Sequence, residues 1–212
     1  MTGVWSDRDL ASTREFFATR ASGWEDRFPD DGPAFAAAVR QLDPPLGGVA
    51  LDAACGTGRA LPLLREAVGP DGLVLGIDVT PEMLDEATRL GRRAAASLVL
   101  GDVRKLALAD RSVDAVLAAG LLPHVNGPAG GLAELARVTR PGGRLALFHP
   151  IGRAALAARH GRQLDPADVR ADPLVRSLLD SAGWEAETVD DGDDRYLVVA
   201  VRRETLRIRA IP

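Results

Sequence analysis

The sequence predicts an α/β fold whose mostly parallel sheet is covered by helices on both faces. From Val49 onward, short and nearly continuous apolar runs alternate with stretches of helical periodicity. A glycine-rich turn, Cys55-Gly56-Thr57-Gly58, follows the first of these runs. Near its end the sequence carries two strand-like runs separated only by a turn, which must pair antiparallel.

Before Val49 the chain reads as helical in two pieces. Arg14 to Arg20 carries Phe16 and Phe17, and Pro33 to Gln41 carries Phe35, Ala36 and Val39 at helical spacing. Trp24, Phe28 and the turn Pro29-Asp30-Asp31-Gly32 interrupt them. Strands are then expected at Val49–Leu51, Leu73–Ile77, Ser97–Leu100, Val113–Ala118 and Leu145–Phe148. Between them lie helices through Leu61, Leu64 and Val68, after Thr80-Pro81, and through Leu132, Leu135 and Val138. Thr80 is placed to cap its helix, with Pro81 in the first turn. Asp165-Pro166 reads as the start of a helix through Leu174, Leu178 and Leu179 that Gly183 ends. Trp184–Val189 and Tyr196–Val201 form the closing pair of strands.

The chain has 212 residues, 46% hydrophobic and 26% charged, which suits one soluble globular domain. A net charge of −4, with arginines scattered among acids, argues against nucleic acid as a partner. The single cysteine, Cys55, excludes an intrachain disulfide and a cysteine-cluster metal site, so no metal is expected. The first residues do not read as a signal peptide, and no run approaches the ~18 apolar residues of a membrane span. A cytoplasmic protein that does not bind membranes is the expectation.

Ligands of open parallel sheets bind beyond the carboxyl ends of the strands. Asp52, Asp78 and Asp102 fall at three successive strand ends. One such acid alone is ordinary helix capping; three, joined to a glycine-rich turn, point to a ligand. Gly56 and Gly58 allow a sharp turn and close approach of a bulky molecule. A dinucleotide site would carry a third small residue further on, where Leu61 stands, and Asp52 would repel a pyrophosphate. A cationic ligand suits Asp52 better.

These residues resemble the class I, Rossmann-like S-adenosylmethionine-dependent methyltransferases, in particular the bacterial small-molecule type. Five blocks carry the resemblance: Val49 to Gly58, Gly76 to Leu84, Gly101 to Leu108, Val113 to Val125, and Glu134 to Leu147. It implies a seven-stranded sheet with an antiparallel C-terminal hairpin, S-adenosylmethionine as cofactor, and a methyl acceptor that is a small molecule. It also implies roles. Gly56 and Gly58, with Ala53 in the same turn, would lie against the methionine part and ribose, and Asp52 would face the α-amino group. Asp78 would accept both ribose hydroxyls, for which two carboxylate oxygens suffice. Val79 and Met83 would pack on the adenosine. Asp102 would receive the adenine amino group beside a backbone donor from Val103, and the Ala119 carbonyl would meet the cofactor amine. The family often has glycine where this chain has Ala54, a mild narrowing.

In the family the amino-terminal segment commonly folds over the cofactor, so residues 1–48 are expected to form a helical lid on a methyltransferase domain of residues 49–212. Arg20 would then meet the cofactor carboxylate and Trp24 cover the sulfur; alternatively Phe16, Phe17, Trp24 and Phe28 only pack helices onto the sheet. His124 and His149 follow the fourth and fifth strands and are the candidate catalytic bases, while His160 reads as surface. Cys55 has nothing basic beside it and reads as a structural thiol. Arg153, Arg159 and Arg162 either bind an anionic substrate or face water. The reading is methyl transfer to oxygen, nitrogen or carbon of a metabolite by a monomer or homodimer. The alternative is a protein that binds S-adenosylmethionine without transferring its methyl group. An RNA or protein substrate is disfavoured, because Ala118 to His124 offers no amide to orient a base amine.

Overall fold

A computed structural model describes residues 10–204. The segment read as lacking a signal peptide lies largely in residues 1–9, outside the described residues, as do residues 205–212. Seven strands form one sheet: β1 Val49–Ala53, β2 Leu73–Asp78, β3 Ser97–Leu100, β4 Val113–Ala119, β5 Thr139–His149, β6 Trp184–Asp191 and β7 Tyr196–Arg202. Their order across the sheet is β3-β2-β1-β4-β5-β7-β6. The first five pair in parallel, and β7 runs antiparallel between β5 and β6. The fold is therefore the Rossmann-like sheet with an antiparallel end that the sequence predicts. The order reverses between β1 and β4, a crevice where α/β sheets bind ligands.

Both faces of the sheet are buried, which is why its strands read as apolar runs rather than as alternations. Leu51, Val116 and Leu145 enter a core on one face with Leu132, Leu135 and Trp184. Ala50, Leu117 and Ala146 enter the other with Leu42, Leu61 and Leu64. Trp184 is fully buried, and its indole N–H donates to the Leu132 carbonyl at 2.9 Å, so the polar end of the largest core side chain is satisfied.

Eight α-helices surround the sheet among the described residues: α1 Leu10–Ala18, α2 Trp24–Arg27, α3 Gly32–Leu42, α4 Leu61–Val68, α5 Pro81–Arg89, α6 Pro128–Val138, α7 Arg153–Arg159 and α8 Asp172–Ser181. None is long and apolar enough to cross a membrane. Three expectations change. α8 starts at Asp172-Pro173 rather than Asp165-Pro166, because the Asp165 carboxylate instead takes the Ala167 N–H at 2.8 Å in a local turn. α7 was not foreseen. Thr80 stands at the N-cap of α5, but its side chain makes no capping bond. Asp78 takes the Thr80 N–H instead, at 2.8 Å.

The described part of the first segment, residues 10–48, packs in two different places. α3 buries Ala38, Val39 and Leu42 and packs on α4 and β5, so it belongs to the layer that covers the sheet. α1 and α2 bury little of their own surface and lie at the carboxyl ends of the strands.

Candidate active site

A cavity of about 1380 Å³ opens beyond the carboxyl ends of β1 to β5. Its wall includes Asp52, Asp78, Asp102, Ala119 and His149, one from each strand end in turn. A pocket for one drug-sized ligand measures about 300–1,000 Å³, so this one has room for two molecules.

The floor is the turn from β1 to α4. Gly56 has φ +54° and its missing Cβ would point at Met83 Sδ, 4.0 Å away. Gly58 has φ +78°, and a Cβ there would come within 2.7 Å of Leu61, so it is demanded by helix packing and not by the cavity. Ala53 is buried in the sheet. Neither Ala53 nor Gly58 reaches the cavity wall. Ala54 does, and it holds φ 64°, the left-handed region that disfavours a side chain. The departure noted at this position is thus a matter of backbone strain more than of narrowed space.

Asp78 organises the turn. Its carboxylate accepts the Gly56 N–H and the Thr80 N–H, each at 2.8 Å, tying β1's loop to the start of α5. Burial raises its pKa, and the two backbone donors counteract the rise. Two lone pairs remain on its oxygens for a ligand. Asp52 is fully enclosed, and its Oδ1 has no hydrogen-bond partner. Burial, reinforced by the charge of Asp78, pushes its pKa up to about 8. An orphaned acid in a cavity wall is a place for a cation. Asp102 differs, because Arg104 grips both of its oxygens and holds its pKa below the usual carboxylate range. Val79, Met83 and Val103 line the wall nearby, and Arg14 of α1 donates to the Val79 carbonyl at 2.8 Å.

The roof comes from α1 and α2, where Phe16, Phe17, Trp24 and Phe28 form a row of ring contacts. Arg20 is not in the wall; it donates to the Phe16 carbonyl of its own helix at 2.7 Å and lies over the Phe16 ring. Glu25 accepts from Thr57 Oγ1 at 2.5 Å and pairs with Arg59 at 3.3 Å, linking roof to floor. Thr57, Glu25 and Arg59 were missed in the sequence, since Glu25 and Thr57 are 32 residues apart and share no motif.

Both candidate bases reach the cavity. The His124 ring stands nearly perpendicular to Phe17, with centroids 5.0 Å apart. His149 Nδ1 lies 2.9 Å from the Ile151 carbonyl and 3.3 Å from the Ile151 N–H, so the backbone of that residue fixes the ring in either tautomer. Burial, with a smaller push from Arg170, lowers the His149 pKa, so its ring is neutral at pH 7. Burial raises the Cys55 thiol well above its ordinary value, which keeps it protonated and unreactive. Among the described residues no group of three His, Cys, Asp or Glu could hold a metal.

A methyltransferase domain model matches residues 51–147, the stretch that carries Asp52, Asp78 and Asp102. The match supports a class I S-adenosylmethionine-dependent methyltransferase. The chain is 34% identical over 157 residues to a demethylmenaquinone methyltransferase of Beutenbergia cavernae, covering 73% of this chain and 63% of that protein. It is 30% identical over 165 residues to an arsenite methyltransferase of Halobacterium salinarum, covering 70% of this chain and 40% of the relative. The chain therefore spans less than two thirds of the length of these relatives. Among solved structures, the methyltransferase bound to the Trm112 activator of Haloferax volcanii superposes with a TM-score of 0.73 at 22% identity, over 93% of this chain and 99% of that one. At that identity the likeness is one of fold.

Proposed function

We propose that this chain binds S-adenosylmethionine and transfers its methyl group to a small molecule. The observation that carries the reading is Asp52: buried, lining the cavity, and with an oxygen that has no partner. An ammonium group would supply the missing partner, and a cationic cofactor is what this acid is suited to hold. Asp78 would take the ribose hydroxyls on its free lone pairs, and Met83 and Val79 would border the adenosine. Asp102 keeps acceptor capacity for the adenine amine beyond its Arg104 pair.

The cofactor's sulfonium supplies an electrophilic methyl group, so the protein's task is largely alignment and exclusion of water. Phe16, Phe17 and Trp24 cover the cavity with apolar rings and keep water from it. His149, neutral at pH 7, is the group that takes a proton where the acceptor must lose one. Residues 10–31 act as the lid, and residues 32–48 as part of the domain's outer layer. The acidic balance and a cavity walled by one chain suit a small metabolite rather than a nucleic acid, with the protein working as a monomer or homodimer in the cytoplasm.

The test is incubation with methyl-labelled S-adenosylmethionine and a metabolite extract. Labelled small products that vanish in Asp52→Ala support the reading, and none with retained cofactor binding would favour a binding protein without transfer.

A further inference from the structure

We propose that the methyl acceptor carries a carboxylate and that Arg153 and Arg170 receive it. The inference rests on the methyltransferase reading above and specifies what shares the cavity with the cofactor. Both arginines line the cavity past the end of β5, beside His149. They are nearly nine-tenths buried or more, with side chains 10% and 11% exposed. Of the three arginines first in question, Arg159 and Arg162 are exposed, and Arg170 carries no sequence signal at all.

Each guanidinium is fixed on one side and unfinished on the other. Asp191 accepts both the Arg153 backbone N–H, at 2.9 Å, and its Nε, at 2.8 Å. Asp168 accepts from Arg170 Nε and, at 2.7 Å, from Nη2. Nη1 of each arginine is buried without a hydrogen-bond acceptor. An unpaired buried donor is costly; Arg59, Arg92 and Arg144 each leave one as well, and the Tyr196 ring lies 6.0 Å from the Arg170 guanidinium, but Arg153 and Arg170 stand together in the wall beyond β5. Asp191 and Asp168 hold the side chains in fixed orientations, which is how a recognition site is kept in shape.

The chemistry of the missing partner follows from the donors and their neighbours. Two charged donors in the wall of one cavity suit an acceptor with two oxygens, as a carboxylate has. The charges of Asp168 and Asp191 already offset those of Arg153 and Arg170, so the pair has no surplus charge of its own to hold a doubly charged phosphate, although Arg159 and Arg162 stand elsewhere in the same wall. The Phe17 and Trp24 rings and Leu156 in the wall offer the rest of the acceptor an apolar surface. A bound carboxylate also neutralises Arg170 next to His149, and so raises the proton affinity of that imidazole.

The experiment uses protein saturated with S-adenosylhomocysteine and a panel of alkyl and aryl carboxylates, each beside its primary amide and its phosphate-bearing analogue. Calorimetry and the His149 ring signals in NMR read the binding. The proposal expects carboxylates to bind about tenfold or more tightly than amides and phosphates, and to shift the His149 titration upward. It expects Arg153→Gln and Arg170→Gln each to lose about tenfold or more in carboxylate binding, with S-adenosylhomocysteine affinity unaltered. If a single variant fails to fold, the neutralised pair Arg170→Gln with Asp168→Asn removes both charges and gives the same reading. Amides or phosphates that bind as well as acids, no carboxylate binding, or variants that keep it would each overturn the proposal. Failure of the underlying methyltransferase reading shows separately, as absence of S-adenosylhomocysteine binding.

Discussion

Thr57 of the glycine-rich turn donates its hydroxyl to Glu25 of α2 at 2.5 Å, and Arg59 joins the same carboxylate. Floor and roof of the cavity are thereby linked by side chains. Thr57→Val removes a bond to a charged acceptor, worth about 1.5–3 kcal/mol before water repays part of it. S-adenosylhomocysteine should leave this variant about tenfold faster in a stopped-flow displacement, with little change in thermal stability. An unaltered off-rate would show that the lid is held elsewhere.

Asp78 serves the protein and its ligand at once, through Gly56 and Thr80 on one side and the cavity on the other. Asp78→Ala strands two backbone donors and deletes the ribose acceptor, while Asp78→Asn keeps one acceptor oxygen. Cofactor affinity should fall about a hundredfold or more for alanine and roughly tenfold for asparagine. Equal affinities for alanine and the parent, measured by calorimetry, would reduce Asp78 to a loop fastener.

The left-handed backbone at Ala54 costs about 1–2 kcal/mol in a residue with a Cβ, part of which glycine returns as unfolded-chain entropy. Ala54→Gly should therefore stabilise the protein by about 0.5–1 kcal/mol and raise Tm by roughly 1–4 °C. A lowered Tm would mean that the methyl group's packing outweighs the strain.

How much of this was legible in the sequence varied with the range of the interaction. The strands and their antiparallel ending could be read because each apolar run is local and both sheet faces are buried. The three strand-end acids were legible for the same reason, as residue types at fixed offsets from those runs. The Asp165-Pro166 and Asp172-Pro173 pairs look alike in sequence, and only tertiary packing of Val175 and Leu179 selects the second as a helix start. Gly58 was read as a ligand contact when its role is to admit Leu61. Contacts such as Glu25 with Thr57, or Arg153 with Asp191 38 residues away, leave no local pattern.

His149 is neutral at pH 7 because burial lowers its pKa, so its basic form persists below the usual histidine range. If alignment carries the catalysis, the double variant His124→Ala with His149→Ala loses only a few-fold in kcat once an acceptor is in hand. A loss of about 10²–10⁴, confined to His149 and removing an acid limb that lies below pH 6.5, would contradict this and name His149 as the base.

The central claim is that buried Asp52 awaits the cationic end of S-adenosylmethionine. In the ligand-free protein its pKa of about 8 exceeds the unfolded value of 3.8, so stability contributed by the protonated acid is lost as pH rises through that interval. Binding a cation there expels the proton. Calorimetric titration of S-adenosylhomocysteine and of NAD at pH 7, in two buffers of different ionisation enthalpy, tests this directly. The account predicts S-adenosylhomocysteine binding with proton release that Asp52→Asn abolishes, and no binding of NAD. Tight binding of NAD with none of S-adenosylhomocysteine, or cofactor binding without proton release, would contradict it.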